Sequence, residues 1–168
     1  MYNRPYRAKD NEGDAPMSKL VPPHGSNTLM PLLLPETERS ESLRRAQSLK
    51  RVPMTSRETS DFLMLAMGAY TPLTGFMGYD DWHGCCADMK LSNGLFWPIP
   101  ITLSCSKDLA DTIAIEESVA LVDQDSGEIM GVLEVTEKYA IDKAFECQHV
   151  FRTADPKHPG VAKVMDQG

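Results

Sequence analysis

The chain has 168 residues, of which 42% are hydrophobic and 24% are charged, a composition typical of a globular domain with an apolar core. Its net charge is −7 and no basic run exceeds two residues. This disfavours a nucleic-acid partner, because binding phosphates needs clustered positive charge. No stretch reaches the roughly 20 consecutive apolar residues of a membrane span, and no secretory signal opens the chain. We therefore expect a cytoplasmic protein with no membrane partner.

The N-terminal residues differ in character from the rest of the chain. Residues 1–16 mix charged residues, Asn, Gly and Pro without periodicity, which is typical of a disordered leader or a tag. We predict that a single domain occupies residues 17–168. No internal repeat or low-complexity block divides it.

Two helices and a strand are predicted in the next part of the chain. Apolar side chains recur every third residue over residues 40–49, which favours a short amphipathic helix, and Val52 and Met54 indicate a brief strand. Thr55–Glu58 matches a capping box, in which the Thr and Glu side chains each accept a backbone amide hydrogen bond at a helix start. The helix that begins there is expected to end at Gly68.

The stretch GAYTPLTGFMGY, residues 68–79, is predicted to be a rigid loop. Pro72 fixes one backbone angle, and Gly75 and Gly78 permit positive φ. A helix over residues 80–90 is expected to follow, since its apolar positions recur with helical spacing.

Strands are predicted to dominate the second half. Alternating apolar residues indicate a strand over residues 97–105, with Pro98 and Pro100 favouring an edge or a bulged barrel strand. The patterns also predict strands at 113–115, 119–122 and 128–135, a turn at 123–127, a helix at 142–149 and a loop at 151–160. This order of elements indicates an α+β, mostly β domain centred on a barrel.

The cysteines and a neighbouring histidine raise two chemical hypotheses. A zinc site would use His83, Cys85 and Cys86 together with Cys105 or Cys147. However, adjacent residues on a helix point about 100° apart and rarely chelate one ion. A nucleophilic Cys85 would need activation by His83. Reduced, buried structural thiols are the favoured interpretation.

Other sequence patterns give weak functional signals. The glycine loop lacks the Lys and Ser/Thr of a Walker loop and the GxGxxG spacing of a dinucleotide site. The four histidines show no metal-binding spacing, and the acidic residues form no obvious catalytic pair. Residues 155–160 form a stiff polar loop, which either positions an adjoining element or simply connects two elements at the surface.

Several motifs taken together resemble the ATP sulfurylase (sulfate adenylyltransferase) family. The resemblance covers residues 17–168 in the family's order. It rests on five segments: Pro23-His24-Gly25 with Leu29, GAYTPLTGFM from Gly68 to Met77, LSNGLFWPIPITL from Leu91 to Leu103, SGEIMGVLEVTEKY from Ser126 to Tyr139, and RTADPKHPGV from Arg152 to Val161.

The resemblance implies a PUA-like β-barrel with peripheral short helices. It also implies that sulfate attacks the α-phosphorus of ATP in the full-length enzyme, with Mg²⁺ as the cofactor of ATP, to give adenosine 5′-phosphosulfate and pyrophosphate. The family's QxRNxxHxxH and GRD motifs occur nowhere in this sequence. We therefore expect a non-catalytic N-terminal domain, with no catalytic, cofactor or metal residue of its own.

The expected partners are the family's catalytic domain and, for the full-length enzyme, further copies in a homo-oligomer. Aromatic side chains suit an interface because they bury much area at low entropic cost. Tyr70, Phe76, Tyr79 and His158 are candidates for interdomain packing, although the aromatic residues could instead close this domain's own core. An RNA-binding PUA-like module and a structural or oligomerisation module remain as alternative functions.

Overall fold

The computed structural model describes residues 21–166. The leader predicted over residues 1–16 and the domain start at Met17 lie outside the described residues. The described part contains six helices and three strands: α1 Glu36–Ala46, β1 Lys50–Met54, α2 Ser56–Ala66, α3 Tyr79–Asp88, α4 Lys107–Thr112, β2 Ser118–Asp123, β3 Ile129–Glu134, α5 Lys143–Val150 and α6 Pro159–Asp166.

The three strands form one mixed sheet in the order β1-β2-β3. β1 pairs in parallel with β2, with Val52 opposite Leu121. β2 pairs antiparallel with β3, and the register shifts between Leu121 and Val122. The predicted strand around Val52 and the hairpin that joins β2 to β3 are thereby confirmed.

Two hydrophobic clusters make up the core. The sheet cluster consists of aliphatic residues on one side of the sheet: Val52, Met54, Ile113, Val119 and Leu121. The helix cluster lies among α2, α3 and the loops beside them: Leu65, Leu73, Met77, Trp82, Cys85, Cys86, Leu91, Trp97 and Ile101. Residues of α5 pack against the helix cluster. Phe76 packs against both clusters, so it connects the two parts of the core.

The start of α2 shows the predicted capping box. The Thr55 hydroxyl accepts a hydrogen bond from the Glu58 amide, and the Glu58 carboxylate accepts one from the Thr55 amide. The other carboxylate oxygen of Glu58 accepts from the amide (2.8 Å) and hydroxyl (2.6 Å) of Ser104. Glu58 is fully buried, so this helix cap also fixes the segment that carries Ser104.

The prediction of a strand over residues 97–105 is wrong. Phe96 makes a single isolated bridge with Lys90, and the residues after it have no regular structure. Pro98 and Pro100 have no amide to donate. The amide of Ile101 donates to the Met77 sulfur instead. Met77 therefore takes the place that a neighbouring strand would have as the hydrogen-bond partner of Ile101.

The strand predicted at residues 113–115 is also wrong. Ile113 ends the short helix α4, and Glu116 has a positive φ of 66°. The Ala114 amide donates to the Glu117 carboxylate at 2.8 Å. These features form a turn that leads into β2. The pattern also missed α4 and α6, the second of which begins inside the predicted loop at Pro159.

The remaining elements agree with the predicted types within a few residues at their ends. The helices predicted at 40–49, 80–90 and 142–149 correspond to α1, α3 and α5. The domain combines helices and strands as expected, but helices outnumber strands among the described residues, so the prediction of a mostly β domain is wrong. Those residues form a three-stranded sheet and show no closed barrel, because the segments predicted as further strands are irregular or helical. Within residues 21–166, no helix is both long enough and apolar enough to cross a membrane.

Candidate interdomain pocket and aromatic loop

The first glycine of the loop 68–79 follows the end of α2. Gly68 has a φ of 79°, and a Cβ there would lie 3.0 Å from the backbone nitrogen of Pro31. Both its conformation and the closeness of its neighbour therefore favour glycine. The same contact region is held by the Met30 amide, which donates to the Thr71 hydroxyl at 3.0 Å. The segment before α1 is thus fixed against the loop.

The two later glycines of the loop differ from Gly68. Gly75 and Gly78 permit positive φ, but neither is among the positive-φ glycines of the described residues, so neither uses that freedom. A Cβ on Gly78 would lie 2.5 Å from a carboxylate oxygen of Glu137, which accepts a hydrogen bond from the Tyr79 amide at 3.0 Å. Gly78 makes room for this carboxylate.

Tyr70 forms one wall of a pocket together with two charged residues of α2. Its hydroxyl donates to one oxygen of Asp61 at 3.1 Å, and Arg57 donates to the other at 3.1 Å. Burial raises the pKa of Asp61, and the hydrogen bond from Tyr70 and the Arg57 charge oppose that rise. Burial and the neighbouring Asp61 raise the pKa of Tyr70. The Asp61 carboxylate thus accepts hydrogen bonds from both Tyr70 and Arg57.

The opposite wall comes from the irregular segment after α3. Trp97 and Ile101 are buried, and the Tyr70 ring meets the Trp97 ring edge-on at a centroid distance of 5.9 Å. Phe96 and Ile99 remain 55% and 59% exposed. The open cleft between the walls measures about 530 Å³, and we call it the Tyr70 pocket; its lining is His24, Arg57, Asp61, Tyr70 and residues 96–101.

His24 closes one side of the Tyr70 pocket. Its Nε2 donates to the Phe96 carbonyl at 2.7 Å, and its ring centroid lies 6.2 Å from that of Trp97. His24 belongs to the Pro-His-Gly motif, and Trp97 belongs to the LSNGLFWPIPITL motif. Two motifs that are far apart in the sequence therefore meet here.

Phe76 lies in the interior of the domain, half-buried between the two hydrophobic clusters. It also lines a second cavity of about 580 Å³, bounded by the sheet and by the chain that follows β3. Its contacts close this domain's own core. A further contact of Phe76 with another domain stays a prediction.

Tyr79 begins α3 and is 43% exposed. Its ring packs on those of Trp82, His83 and Tyr139 at centroid distances of 5.7 to 5.8 Å. The His83 ring in turn stacks on Phe145 at 5.1 Å, with an interplanar angle of 8°. Tyr79 therefore belongs to an aromatic group that joins α3 to α5.

His158 lies at the start of α6 and is exposed. Its Nδ1 accepts a hydrogen bond from the Gly160 amide at 3.2 Å, and its ring lies 5.1 Å from that of Phe151. The histidine thus helps to begin α6. The structure places the four predicted packing residues at four different locations, and Tyr70 is the one that lines the Tyr70 pocket.

The positions of the four cysteine thiols fit a structural role. Cys85, Cys86 and Cys147 are buried, Cys105 is half-buried, and all four are free of disulfides. Burial and the nearby Glu146 carboxylate raise the pKa of Cys85 and of Cys86 to about 12, which keeps both thiols protonated at neutral pH. Among residues 21–166, no three His, Cys, Asp or Glu side chains group together in a way that could hold a metal ion.

Sequence reasoning missed most of the polar wall of the Tyr70 pocket. Arg57 and Asp61 were not singled out, although their spacing of four residues on a helix is a recognisable pattern for an ion pair. Trp97 was assigned to a strand face. The buried hydrogen bond between the Trp82 indole and the Glu146 carboxylate, 2.7 Å long, had no sequence signal because 64 residues separate the partners.

The comparisons with known proteins decide the family. A family model described as a PUA-like domain matches residues 21–168. The chain belongs to the PUA-like domain family.

This PUA-like domain is closely similar to part of several sulfate adenylyltransferases. It is 57% identical over 150 residues to that of Chlorobium chlorochromatii and 58% identical over 150 residues to that of Chlorobaculum tepidum, in each case over 89% of this chain and 37% of the relative. The protein of Thiobacillus denitrificans is 53% identical over 152 residues, 90% of this chain and 37% of the relative. The resemblance predicted from the motifs is confirmed, and the PUA-like domain spans little more than a third of these relatives.

A solved structure shows the same fold. The PUA-like domain superposes on a hexameric APS kinase from Thiobacillus denitrificans with a TM-score of 0.63 and 34% identity, over 73% of this chain and 24% of the other. The match again covers a minor part of a longer protein.

Proposed function

We propose that this PUA-like domain is the non-catalytic N-terminal domain of a sulfate adenylyltransferase. In this proposal the whole enzyme converts ATP and sulfate into adenosine 5′-phosphosulfate and pyrophosphate, and the domain supports a catalytic domain that follows it. The observation that carries the proposal is identity above 50% across about nine-tenths of the chain to proteins named for that activity, of which it spans 37%.

The charges of the domain support a non-catalytic role. Transfer to the α-phosphorus of ATP needs cationic groups or a metal aimed at the phosphates. Three of the domain's basic groups, Lys50, Arg57 and Lys107, are instead paired with its carboxylates. We propose that Mg²⁺ accompanies ATP in the full-length enzyme.

The proposal includes the assembly and the compartment of the full-length enzyme. We propose a homo-oligomer, supported by the hexameric protein that shares this fold. We propose a cytoplasmic enzyme, supported by the four free thiols. The RNA-binding alternative gains no support, since the net charge of −7 opposes a phosphate-binding surface.

The test is pyrophosphate release from ATP and sulfate in the presence of Mg²⁺. One sample is this chain alone, and the second is a chimera in which the chain replaces the matching part of the Chlorobaculum tepidum relative. We expect background release from the chain and clear turnover by the chimera, with the unmodified relative as positive control. Turnover by the chain alone would overturn the non-catalytic assignment, and a folded but silent chimera would overturn the supporting role.

A further inference from the structure

The Tyr70 pocket has the features of a protein contact site and not only those of a packing defect. Binding hot spots are enriched in Trp, Tyr and Arg and lie in well-packed concave sites. Trp97, Tyr70 and Arg57 all line this pocket. The edge-on contact between Tyr70 and Trp97 and the hydrogen bonds to Asp61 hold the walls in position.

The rim of the pocket is apolar and protrudes into solvent. Phe96 and Ile99 are each more than half exposed, whereas Trp97 and Ile101 beside them are buried. Single exposed apolar side chains are common on any protein. Here two of them flank a concave apolar site on one short segment, a pattern that marks an interaction surface.

The backbone of this segment is restricted before any partner arrives. Pro98 and Pro100 fix two φ angles, and the Phe96 carbonyl is held by His24. Pre-organisation of this kind lowers the entropic cost of binding. The segment can therefore bind a partner without first being ordered.

The charges of the pocket point to an uncharged occupant. Asp61 is 8% exposed and accepts hydrogen bonds from both Arg57 and Tyr70. The Arg57 charge is thus paired with the Asp61 carboxylate at the pocket wall, on a side chain that stays 44% exposed. A site with a neutralised polar wall and apolar remaining walls favours an aliphatic or aromatic side chain over an anionic ligand.

We propose that the Tyr70 pocket receives an aliphatic or aromatic side chain from the remaining portion of the sulfate adenylyltransferase polypeptide. This rests on the proposed function. The relatives carry nearly two thirds of their length outside the match, so in the proposed full-length enzyme a large partner is covalently joined to this domain. Tethering gives that partner a high local concentration, which favours it over a separate molecule.

Hydroxyl-radical footprinting of the chain and of the chimera tests the pocket. Phe96 and Ile99 are more than half exposed in the isolated chain, and we expect both to become nearly buried when the pocket is covered. We expect their labelling in the chimera to be about fivefold slower than in the isolated chain, as for residues of an interface core. Ile115 is the matched control, because it is 50% exposed and does not line the pocket. Its labelling should not change.

Two results would overturn the proposal. Equal labelling of Phe96 and Ile99 in the chain and in a chimera that melts in one cooperative transition would show an uncovered pocket. Protection that appears in the isolated chain as its concentration rises would assign the pocket to a second copy.

A pair of variants in the chimera provides a second test. Ile99→Asp places a charge on the rim, so it should restore the labelling of Phe96 to the rate of the isolated chain. Ile115→Asp should leave Phe96 protected. Protection that survives Ile99→Asp would contradict docking at the rim.

Pyrophosphate release, measured on the same samples, separates the two proposals. An active chimera without protection refutes the pocket contact and leaves the proposed function standing. A protected but silent chimera refutes the proposed function and leaves the pocket contact standing.

Discussion

The sheet cluster and the helix cluster stabilise the same domain in different ways. The sheet cluster is aliphatic and lies on regular strands except for Ile113, with Val119 completely buried and Leu121 2% exposed. The helix cluster includes both tryptophans of the chain and is bordered by buried polar side chains such as Asp61 and Glu146. One region depends on strand pairing, and the other depends on specific long-range hydrogen bonds.

This difference explains where surfaces for partners arise. A regular strand uses its amides and carbonyls to pair with its neighbours, so its geometry is fixed by the sheet. The segment after α3 has no continuous ladder and is positioned by separate backbone and side-chain hydrogen bonds, and Phe96 and Ile99 stand out from it beside a pocket. The irregular part of the core therefore supplies the candidate contact site.

The largest expected effect is in the helix cluster. Trp82→Ala should lower the free energy of unfolding by about 4 kcal/mol, because it opens a cavity and leaves the Glu146 carboxylate without its donor. Urea unfolding followed by circular dichroism measures the change. Trp82→Phe, which keeps a ring but not the donor, should cost about half as much. Equal stability of the Phe variant and the native chain would show that the hydrogen bond is not needed.

The next effect concerns Glu58, whose carboxylate links the start of α2 to the segment that carries Ser104. Glu58→Ala should cost about 3 kcal/mol, since half-buried donors of Thr55 and Ser104 lose their fully buried acceptor. The exposed Glu128→Ala is the matched control and should change stability by less than about 0.5 kcal/mol. Chemical denaturation of both variants provides the comparison. A loss below 1 kcal/mol for Glu58→Ala would deny it this linking role.

A smaller effect is expected in the sheet cluster. Val119→Ala should cost about 2 kcal/mol from lost apolar burial and a small cavity. No titratable group takes part in that loss, so the cost should be the same at pH 4 and pH 7. Denaturation at both pH values tests this. A cost that varies with pH would remove the contrast between the two clusters.

The smallest effect is predicted for Tyr70→Phe, at about 1 kcal/mol at pH 7. Because the pKa of Asp61 is raised in the folded chain, its contribution to stability is full below the unfolded pKa near 4 and is lost as pH rises through the folded pKa. The Tyr70 hydroxyl opposes this loss by stabilising the ionised carboxylate. The variant should therefore be destabilised more at pH 7 than at pH 3.

Denaturation curves of the native chain and the variant at both pH values measure this difference. Tyr79→Phe is the control, since its ring is part of the aromatic group that joins α3 to α5 and its hydroxyl makes no hydrogen bond within the described residues. It should show little change at either pH. If Tyr70→Phe lowered the free energy of unfolding more at pH 3 than at pH 7, the hydroxyl would not stabilise the ionised Asp61 carboxylate.

The elements predicted correctly depend on local signals. The capping box of Thr55 and Glu58 involves residues three apart, and the β2–β3 hairpin follows from a short polar turn between two apolar runs. The apolar pattern of residues 97–105 was equally clear, yet it predicted a strand that the structure lacks. The partners of that segment, Met77 and Glu58, are distant in the sequence and cannot be read from a local pattern.

The candidate site was predictable only in part. Tyr70 was expected at a contact, and the family was identified from motifs that include His24 and Trp97. The meeting of Tyr70 with Arg57, Asp61 and Trp97 results from tertiary packing across about 40 residues. The roles of Phe76 and His158 could not be predicted from the sequence. An aromatic residue or a histidine in a loop gives the same sequence signal whether it lies in a core, at a helix start or at an interface.

The parallel pairing of β1 with β2 sets the order in which a growing chain can complete this domain. Residues 55–117 lie between the two strands, so a ribosome synthesises all of them before Val52 can meet Leu121. The buried members of the helix cluster all fall between Leu65 and Ile101, and they are available earlier. A nascent chain paused before Ser118 therefore carries β1 unpaired, with the side chains of Val52 and Met54 not yet covered by Val119 and Leu121, and transiently exposed apolar surface of this kind favours aggregation.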